Sequence, residues 1–285
     1  MKGIILAGGH GSRLYPLTKI FNKSLLPVYD KPMIYYPLQT LKQIGCKEIC
    51  IVSGKEHCGQ IMNQLGSGEE YGVDITYRVQ EKPGGIAQAL GLCREFAGRD
   101  NVYVCLGDNI FEDNFDNLEI NYYESWCHIF VKQVSDPERF GVASFNGARL
   151  KDIEEKPKKP KTSYAVTGLY MFNHEVWNVI NTLKPSERGE IEITSLNNLL
   201  LKNENVHIQN IGRGINWFDA GTVEDLFEAS NFINSIEKRQ NNLIASIEEV
   251  SYTNGWISKL KFEEIINSIE DSTYGQSLLA KYFDS

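Results

Sequence analysis

The sequence predicts an α/β protein with a Rossmann-like, mixed and mainly parallel sheet flanked by helices. Short apolar runs alternate with segments of helical period through the first two-thirds of the chain, the signature of βαβ units. The links from helix to following strand are short, which keeps successive elements adjacent. A length of 285 residues allows one large or two ordinary domains, enough to bury roughly 75% of the unfolded surface.

The elements follow in order. KGIILAG reads as a first strand, MIYYPLQTLKQIG as a helix ending at Gly45, and KEICIVSG as a second strand. HCGQIMNQLGSG reads as a helix, DITYRVQ as a third strand, GGIAQALGLCREFAG as one helix with glycine caps, and NVYVCLGDN as a fourth strand ending in a turn. HIFVKQV, FGVASF and YAVTGLYMF are further strands, with EVWNVINTL and EIEITSLNNLLLKN as helices. NVHIQNIGRGINWFDAGT gives a strand, a tight glycine turn and a second strand, before the long amphipathic helix VEDLFEASNFINSIEKRQ. Residues 1–240 form the α/β unit. Residues 241–285 are a helical appendage of the same structural unit, because no Pro/Ser/Gly-rich linker divides the chain, and Trp256 is expected to dock onto its body.

Composition narrows the function. Hydrophobic residues make up 42% and charged residues 23%, with no low-complexity tract or fixed-period repeat, so the chain is expected to be ordered. A net charge of -8 argues against a nucleic-acid surface; the nearest basic cluster is the short KPKKPK. The longest apolar runs are too short to span a bilayer and the N-terminus lacks a signal pattern, so no membrane partner and a cytoplasmic location are expected. Cys46, Cys50, Cys58, Cys93, Cys105 and Cys127 lack paired CxxC spacing and read as reduced thiols, mostly buried. Scattered histidines disfavour a zinc site.

The informative stretch is LAGGHGSRLYP, Leu6 to Pro16. It is not a P-loop, since Ser12 and Arg13, not Lys-Ser or Lys-Thr, stand directly after Gly11. Nor is it a dinucleotide fingerprint, since Leu14 stands where the third glycine belongs and Pro16 and Pro27 keep the loop extended. Two readings stay open: a tight turn needing positive φ, or a loop at the C-terminal end of the first strand whose bare amides at Gly8, Gly9 and Gly11 cradle an anion, with Arg13 and Lys23 adding charge. LGDN places Asp108 at the tip of a buried strand on the same sheet edge, and WFDAGT places Asp219 at the end of another. Two carboxylates converging on a triphosphate-bound Mg²⁺ is what phosphoryl or nucleotidyl transfer requires; the other reading of Asp219 is the N-cap region of the helix that follows. In IEEKP, Glu155 and Lys156 are neighbours on an extended segment and so point to opposite faces, as ligands of a sugar and a phosphate or as surface charges.

Taken together, GGHGSRLYPLT, LPVYDKPMIYYPL, LGDN, RFGV, IEEKP, YAVTGLY, RGEIEIT and WFDAGT resemble the sugar-nucleotide pyrophosphorylases across essentially the whole chain, and most closely their thymidylyl-transferring branch. The resemblance implies a fold of the nucleotide-diphospho-sugar transferase type, with a sugar-binding part inserted in the 1–240 unit. It implies dTTP and α-D-glucose 1-phosphate as substrates, dTDP-glucose and pyrophosphate as products, Mg²⁺ as cofactor and a homotetramer. Leu6, Ala7, Gly8 and Gly9 then lie against the nucleoside, Gly11, Arg13 and Lys23 grip the triphosphate, and Gln80, Pro83 and Gly85 bind thymine. Asp108 and Asp219 match the metal ligands. Asn109, Gly141, Glu155, Val166 and Tyr170 match the sugar contacts, and Lys156 the sugar-phosphate contact. Arg13, Lys23, Asp108 and Lys156 form the implied catalytic set.

Two alternatives share these residues: a UTP- or CTP-using sugar-1-phosphate nucleotidyltransferase, and a non-catalytic sugar-nucleotide sensor. The sensor is opposed by the presence of Arg13, Lys23, Asp108 and Asp219 together. Three departures from the family pattern stand out: Ser195 follows EIT in place of aspartate, Phe140 precedes GV in place of tyrosine, and IFEDNF after LGDN is short and acidic. Carboxylates at Glu112 and Asp113 lead to the expectation of weak feedback by dTDP-rhamnose at a second nucleotide site.

Overall fold

The computed structural model of the chain describes residues 1–283 with the exception of 10, 113, 114, 116–124, 148, 204 and 241. β1 (Lys2–Ala7) leads through three short 3-10 turns, Ser12–Leu14, Leu17–Lys19 and Lys23–Leu25, to a small hairpin of β2 (Pro27–Val28) and β3 (Lys31–Pro32). Next come α1 (Tyr35–Gln43), β4 (Glu48–Gly54), α2 (Cys58–Leu65), β5 (Asp74–Gln80), α3 (Ile86–Gly91), α4 (Arg94–Ala97) and β6 (Val102–Leu106). β7 (Asn109–Glu112), β8 (Cys127–Gln133), β9 (Gly141–Asn146), β10 (Arg149–Glu155) and β11 (Tyr164–Phe172) follow. The chain continues with α5 (Val176–Ile180), α6 (Ile193–Lys202), β12 (Val206–Asn210), β13 (Asn216–Asp219) and the long α7 (Val223–Gln240). It closes with α8 (Ile247–Thr253), α9 (Lys259–Ser268) and α10 (Thr273–Tyr282).

The main sheet runs β10-β9-β11-β6-β1-β4-β5, with β8 beside β11 and β12 beside β8. Strands β6, β1, β4 and β5 are mutually parallel, and β11 joins them antiparallel through β6. The run GIILA shows no polar alternation because both faces of β1 are covered: Ile5 and Ala7 enter one core layer, Ile4 and Leu6 the other. From β1 the chain moves outward to β4 and β5, then returns to β6 on the opposite side of β1. Strand order therefore reverses at β1, and the crevice at the C-terminal ends of β1 and β6 is where ligands of such sheets sit.

Several expectations change in detail. The segment from Gly84 to Gly98 forms two helices, α3 and α4, rather than one; the break follows Gly91, where a β-carbon would lie 3.3 Å from Ile180 Cγ2 of α5. The glycine loop is not extended throughout but coils into the three 3-10 turns, the first opened by Gly11 at φ +60° with Leu14 N donating to Gly11 O at 2.9 Å. The turn expected after LGDN is followed at once by β7, which pairs antiparallel with β13 so that Asn109 faces Asp219. β13 is the second strand expected in NVHIQNIGRGINWFDAGT, whereas β7, four residues long and joined to the preceding run, is too short to show a period of its own.

The appendage joins the main core: Ile244, Ala245 and Ile247 share a buried cluster with Leu41 of α1 and Ile233 of α7, while Phe262, Ile266 and Leu278 form a small cluster of their own. Trp256 docks as expected, with Lys47 Nζ 5.2 Å from its ring centre. All six cysteines are free and buried. Among the described residues, no helix is long and apolar enough to cross a membrane.

Candidate active site

The crevice between β1 and β6 opens into a cleft of about 310 Å³. Leu6, Ala7, Gly8, Gly9, Gly11 and Arg13 line one wall; Gln80, Pro83 and Gly85 line another, and Lys23 and Asp108 the floor. The whole set that the resemblance assigns to the nucleotide thus converges in one place. The fit is set by glycines. A β-carbon on Gly8 would lie 2.2 Å from Gln80 Oε1, so the Gln80 carboxamide closes on the strand end only because Gly8 has no side chain. Gln80, 5% exposed, donates through Nε2 to Gln88 Oε1 at 2.6 Å, which orients its amide. Gly85 sits at φ +96°, and a β-carbon there would lie 2.6 Å from Ile191 O. Backbone bonds from Ile191 N to Gly84 O (2.7 Å) and from Ala87 N to Ile191 O (3.1 Å) bring residues 190–192 to the cleft, where Glu190 joins the lining.

Of the two carboxylates, Asp108 lies on the cleft floor, while Asp219 lines the neighbouring hollow on the side of Arg139 and Asp225, close enough to feel the Asp108 charge. Asp108 stands two residues past the end of β6, and its Oδ1 accepts from Asn109 Nδ2 at 3.0 Å while its Oδ2 forms an ion pair with Lys23. Burial opposes its charge, but the Lys23 ammonium beside it wins and holds the carboxyl below the usual carboxylate range. Asp219, at the end of β13, is pushed up to about 6 by burial first and by the Asp108 charge second. Ala220 N donates to Asp108 O at 2.9 Å, locking the two strand ends together. Arg13 comes in from the glycine loop, its Nη2 3.0 Å from where a Gly221 β-carbon would stand. Thr222, not Asp219, caps α7: Asp225 N donates to its Oγ1 at 3.2 Å. The reading of Asp219 as a helix cap is therefore set aside.

The sugar-side residues divide. Glu155 at the end of β10 accepts from Thr194 Oγ1 at 2.5 Å and lies 3.5 Å from Arg188 Nη2, and a β-carbon on Gly141 would be 3.6 Å from its Oε2. Lys156 departs from the alternation expected of an extended segment. Its φ of +45° turns it out of the strand, and its Nζ comes within 3.9 Å of Glu155 Oε1. Val166 and Tyr170, 9% and 3% exposed, are packed in the apolar layer beneath β11. Asn109, 2% exposed, is committed to structure: its Oδ1 accepts from Gly168 N at 2.9 Å and from Trp217 Nε1 at 2.6 Å. It serves the site from behind, by orienting Asp108.

Sequence reasoning missed Arg188, Glu190 and Thr194. All three lie within or beside RGEIEIT, so the motif was visible while the roles of its members were not. Glu112 has its carboxylate engaged by Asn216 Nδ2 at 2.8 Å, which spends part of the acidic stretch after LGDN on the β7–β13 ladder. Asp113 lies outside the described residues.

A mainly parallel sheet whose switch point holds a glycine loop, cations and one aspartate, with a second aspartate coupled to it from the β7–β13 ladder, is the architecture of an enzyme that transfers nucleotidyl groups. The chain belongs to the nucleotidyl transferase family, whose model matches residues 2–236. It is similar at full length to a protein of Neisseria meningitidis named glucose-1-phosphate thymidylyltransferase, 45% identical over 283 residues and 98% of each chain. A protein of the same name from Mycobacterium tuberculosis is 39% identical over 282 residues, again 98% of each. Among solved structures, a Bacillus anthracis protein assigned as a glucose-1-phosphate thymidylyltransferase, solved with sucrose, is 51% identical with a TM-score of 0.77, covering 81% of this chain and 94% of that one. A UDP-glucose pyrophosphorylase with UDP-glucose, 24% identical, shares the fold with a TM-score of 0.71 over 84% of this chain and 99% of that one.

Proposed function

We infer that this protein transfers a thymidylyl group from dTTP to α-D-glucose 1-phosphate, forming dTDP-glucose and pyrophosphate. The observation that carries the reading is the convergence of Gly8, Gln80, Arg13 and Lys23 with Asp108 in one cleft, with Glu155, Lys156 and Arg188 assembled on the acceptor side. The name shared by the full-length relatives supplies the substrates.

The sugar phosphate is already a competent nucleophile, so no general base is needed. Its oxygen attacks the α-phosphorus of dTTP in line, the bond to the bridging oxygen breaks, and pyrophosphate leaves with that electron pair. The chain's task is positioning and charge neutralisation. The amides of Gly8, Gly9 and Gly11 face the triphosphate, Arg13 and Lys23 offset its charge, and Lys156 with Arg188 holds the acceptor phosphate. Glu155, fixed by Thr194, accepts from sugar hydroxyls. Asp108 and Asp219 suit Mg²⁺, which takes one or two protein carboxylates and completes its shell with substrate phosphates and water. Two half-buried carboxylates close enough that one is raised to about 6 in part by the other's charge are a donor set that wants a cation. Bound there, the ion would neutralise triphosphate oxygens that gain charge as pyrophosphate departs.

The reading extends, on the resemblance, to a homotetramer in the cytoplasm; sedimentation measures the first. The decisive experiment offers dTTP, UTP and glucose 1-phosphate together with Mg²⁺ and identifies the products. The thymine methyl is worth about 1 to 3 kcal/mol, so dTDP-glucose is expected to dominate with some UDP-glucose. Exclusive UDP-glucose would overturn the base assignment, and absence of any Mg²⁺-dependent pyrophosphate release would overturn the enzyme.

A further inference from the structure

One ion pair outside the residues assigned so far joins the acceptor side of the site to its metal side. Arg139 ends the 3-10 turn Pro137–Arg139, immediately before Phe140 and the first residue of β9, Gly141. Asp225 lies in the first turn of α7, just beyond the strand that ends at Asp219. Arg139 Nη1 donates to Asp225 Oδ1 at 3.0 Å and to Asp136 Oδ2 at 2.8 Å, while Nη2 binds Asp225 Oδ2. The contact is a two-point fork, which fixes orientation as well as distance. Asp225 is itself immobilised: its Oδ2 accepts from Thr222 Oγ1 at 2.7 Å and its side chain is 16% exposed.

What the fork holds in place matters more than its own strength, since a pair still in part open to water contributes modestly to stability. Phe140 O accepts from Lys156 N at 2.9 Å, at the residue whose positive φ turns its ammonium toward Glu155. The Phe140 ring lies 5.0 Å from the ring of Trp217, whose indole donates to Asn109 Oδ1, and Asn109 in turn donates to Asp108. A continuous set of contacts therefore runs from the Arg139 turn to Lys156 in one direction and to Asp108 in the other. Arg139 and Asp225 close it from outside, 86 residues apart in sequence.

We propose that the Arg139–Asp225 fork is a positioning clasp that sets the distance between the acceptor-holding residues Gly141, Glu155 and Lys156 and the carboxylates Asp108 and Asp219, so aligning the attacking phosphate oxygen. The proposal rests on the nucleotidyl-transfer reading. Neither residue lines the nucleotide cleft, so the clasp acts chiefly on use of the sugar phosphate; Asp225 also faces the charge of Arg13, so dTTP binding is judged on the Arg139 variants.

The test measures pyrophosphate release with the sugar phosphate and the nucleotide varied separately, together with dTTP affinity by calorimetry and melting temperature. It uses wild type, Arg139→Ala, Arg139→Lys, Asp225→Asn, Asp225→Ala and the Arg139→Ala/Asp225→Ala double variant. Wild-type turnover judges the reaction reading by itself; the clasp is judged by ratios of variant to wild type with whichever substrate pair the wild type uses. Arg139→Ala is expected to lower kcat/KM for the sugar phosphate on the order of 10- to 100-fold, because small misplacements are costly in an in-line reaction. Its dTTP affinity should stay within about twofold, since dTTP does not touch the clasp. The double variant should be no worse than either single, and Arg139→Lys should recover only part, because one ammonium cannot form the fork. Equal losses toward both substrates, additive losses in the double variant, or a lower melting temperature with unchanged kinetics would each overturn the proposal. Should Arg139→Ala fail to fold, Arg139→Lys and Asp225→Asn, which preserve shape, carry the same comparison.

Discussion

At Gly8 a β-carbon would meet only the far end of the Gln80 side chain, which can move. Gly8→Ala is therefore expected to fold normally while displacing the Gln80 carboxamide, raising KM for dTTP on the order of tenfold, the worth of one lost hydrogen bond. Steady-state kinetics with dTTP varied checks this, and KM for glucose 1-phosphate should hold. The two carboxylates give a sharper expectation. Asp108→Asn and Asp219→Asn each remove an anionic ligand and should cost on the order of 10²-fold or more in Mg²⁺-dependent turnover; near-normal rates at saturating Mg²⁺ would sink the assignment. Asp219→Asn should also keep or raise the melting temperature without Mg²⁺, because burial and the Asp108 charge both oppose ionisation there. Lys23→Ala is expected to lower kcat by about 10²-fold rather than merely raise KM, since the ammonium meets charge that builds on the leaving group.

Among the elements, α1 carries an expectation that no periodicity shows. Lys42 is fully buried, and its Nζ donates to Tyr71 O at 2.8 Å, to Ile247 O at 2.5 Å and to Ser251 Oγ, pinning α8 onto α1. Burial pushes its pKa down to about 7. Below that pH the residue is charged in both folded and unfolded states, and the folded state bears the full cost. Between about 7 and the ordinary lysine value of 10.5 the unfolded chain binds more protons than the folded one, so this residue's contribution to stability rises with pH. Denaturant unfolding at a series of pH values should show wild type gaining on Lys42→Met by at most about 1.4 kcal/mol per pH unit across that window. Parallel pH profiles for the two proteins would show that Lys42 is not titrating in the fold.

For the molecule as a whole, the helices after α7 belong to the structure and not to its margin. Truncation after residue 240 would strip Ile244, Ala245 and Ile247 from the main core and leave Lys42 without two of its three acceptors. Each buried aliphatic side chain is worth about 1.5 to 3 kcal/mol, so the truncated chain should melt at least about 10 °C lower or fail to fold. Calorimetry of the two chains decides this. An unchanged melting temperature would mark residues 1–240 as a self-sufficient domain. The fragment 242–283, with only Phe262, Ile266 and Leu278 at its centre, is expected to be unfolded alone by circular dichroism.

The order of the main strands and helices, the glycine loop at the end of β1 and the aspartate at the tip of β6 were legible in sequence. Each depends on a local signal: an apolar run with two buried faces, a glycine at a close approach, an aspartate at a strand tip. The boundaries of α5 and α6, the break between α3 and α4 and the existence of β7 were not, because they are decided by packing partners distant in the chain. The same holds inside the site. Sequence placed Glu155 and Lys156 on opposite faces, whereas the Phe140 carbonyl and a positive φ bring them to one side. It set Asn109 among the sugar contacts, whereas Gly168 and Trp217, far along the chain, claim its side-chain oxygen. The sequence alone therefore determined the class of fold, the glycine loop and the two aspartates at strand ends, which are properties of residue type and spacing. Only the tertiary structure decided which side chains face the cleft and which are spent holding it together, because a polar group shut away from water must find its partner wherever the fold puts one.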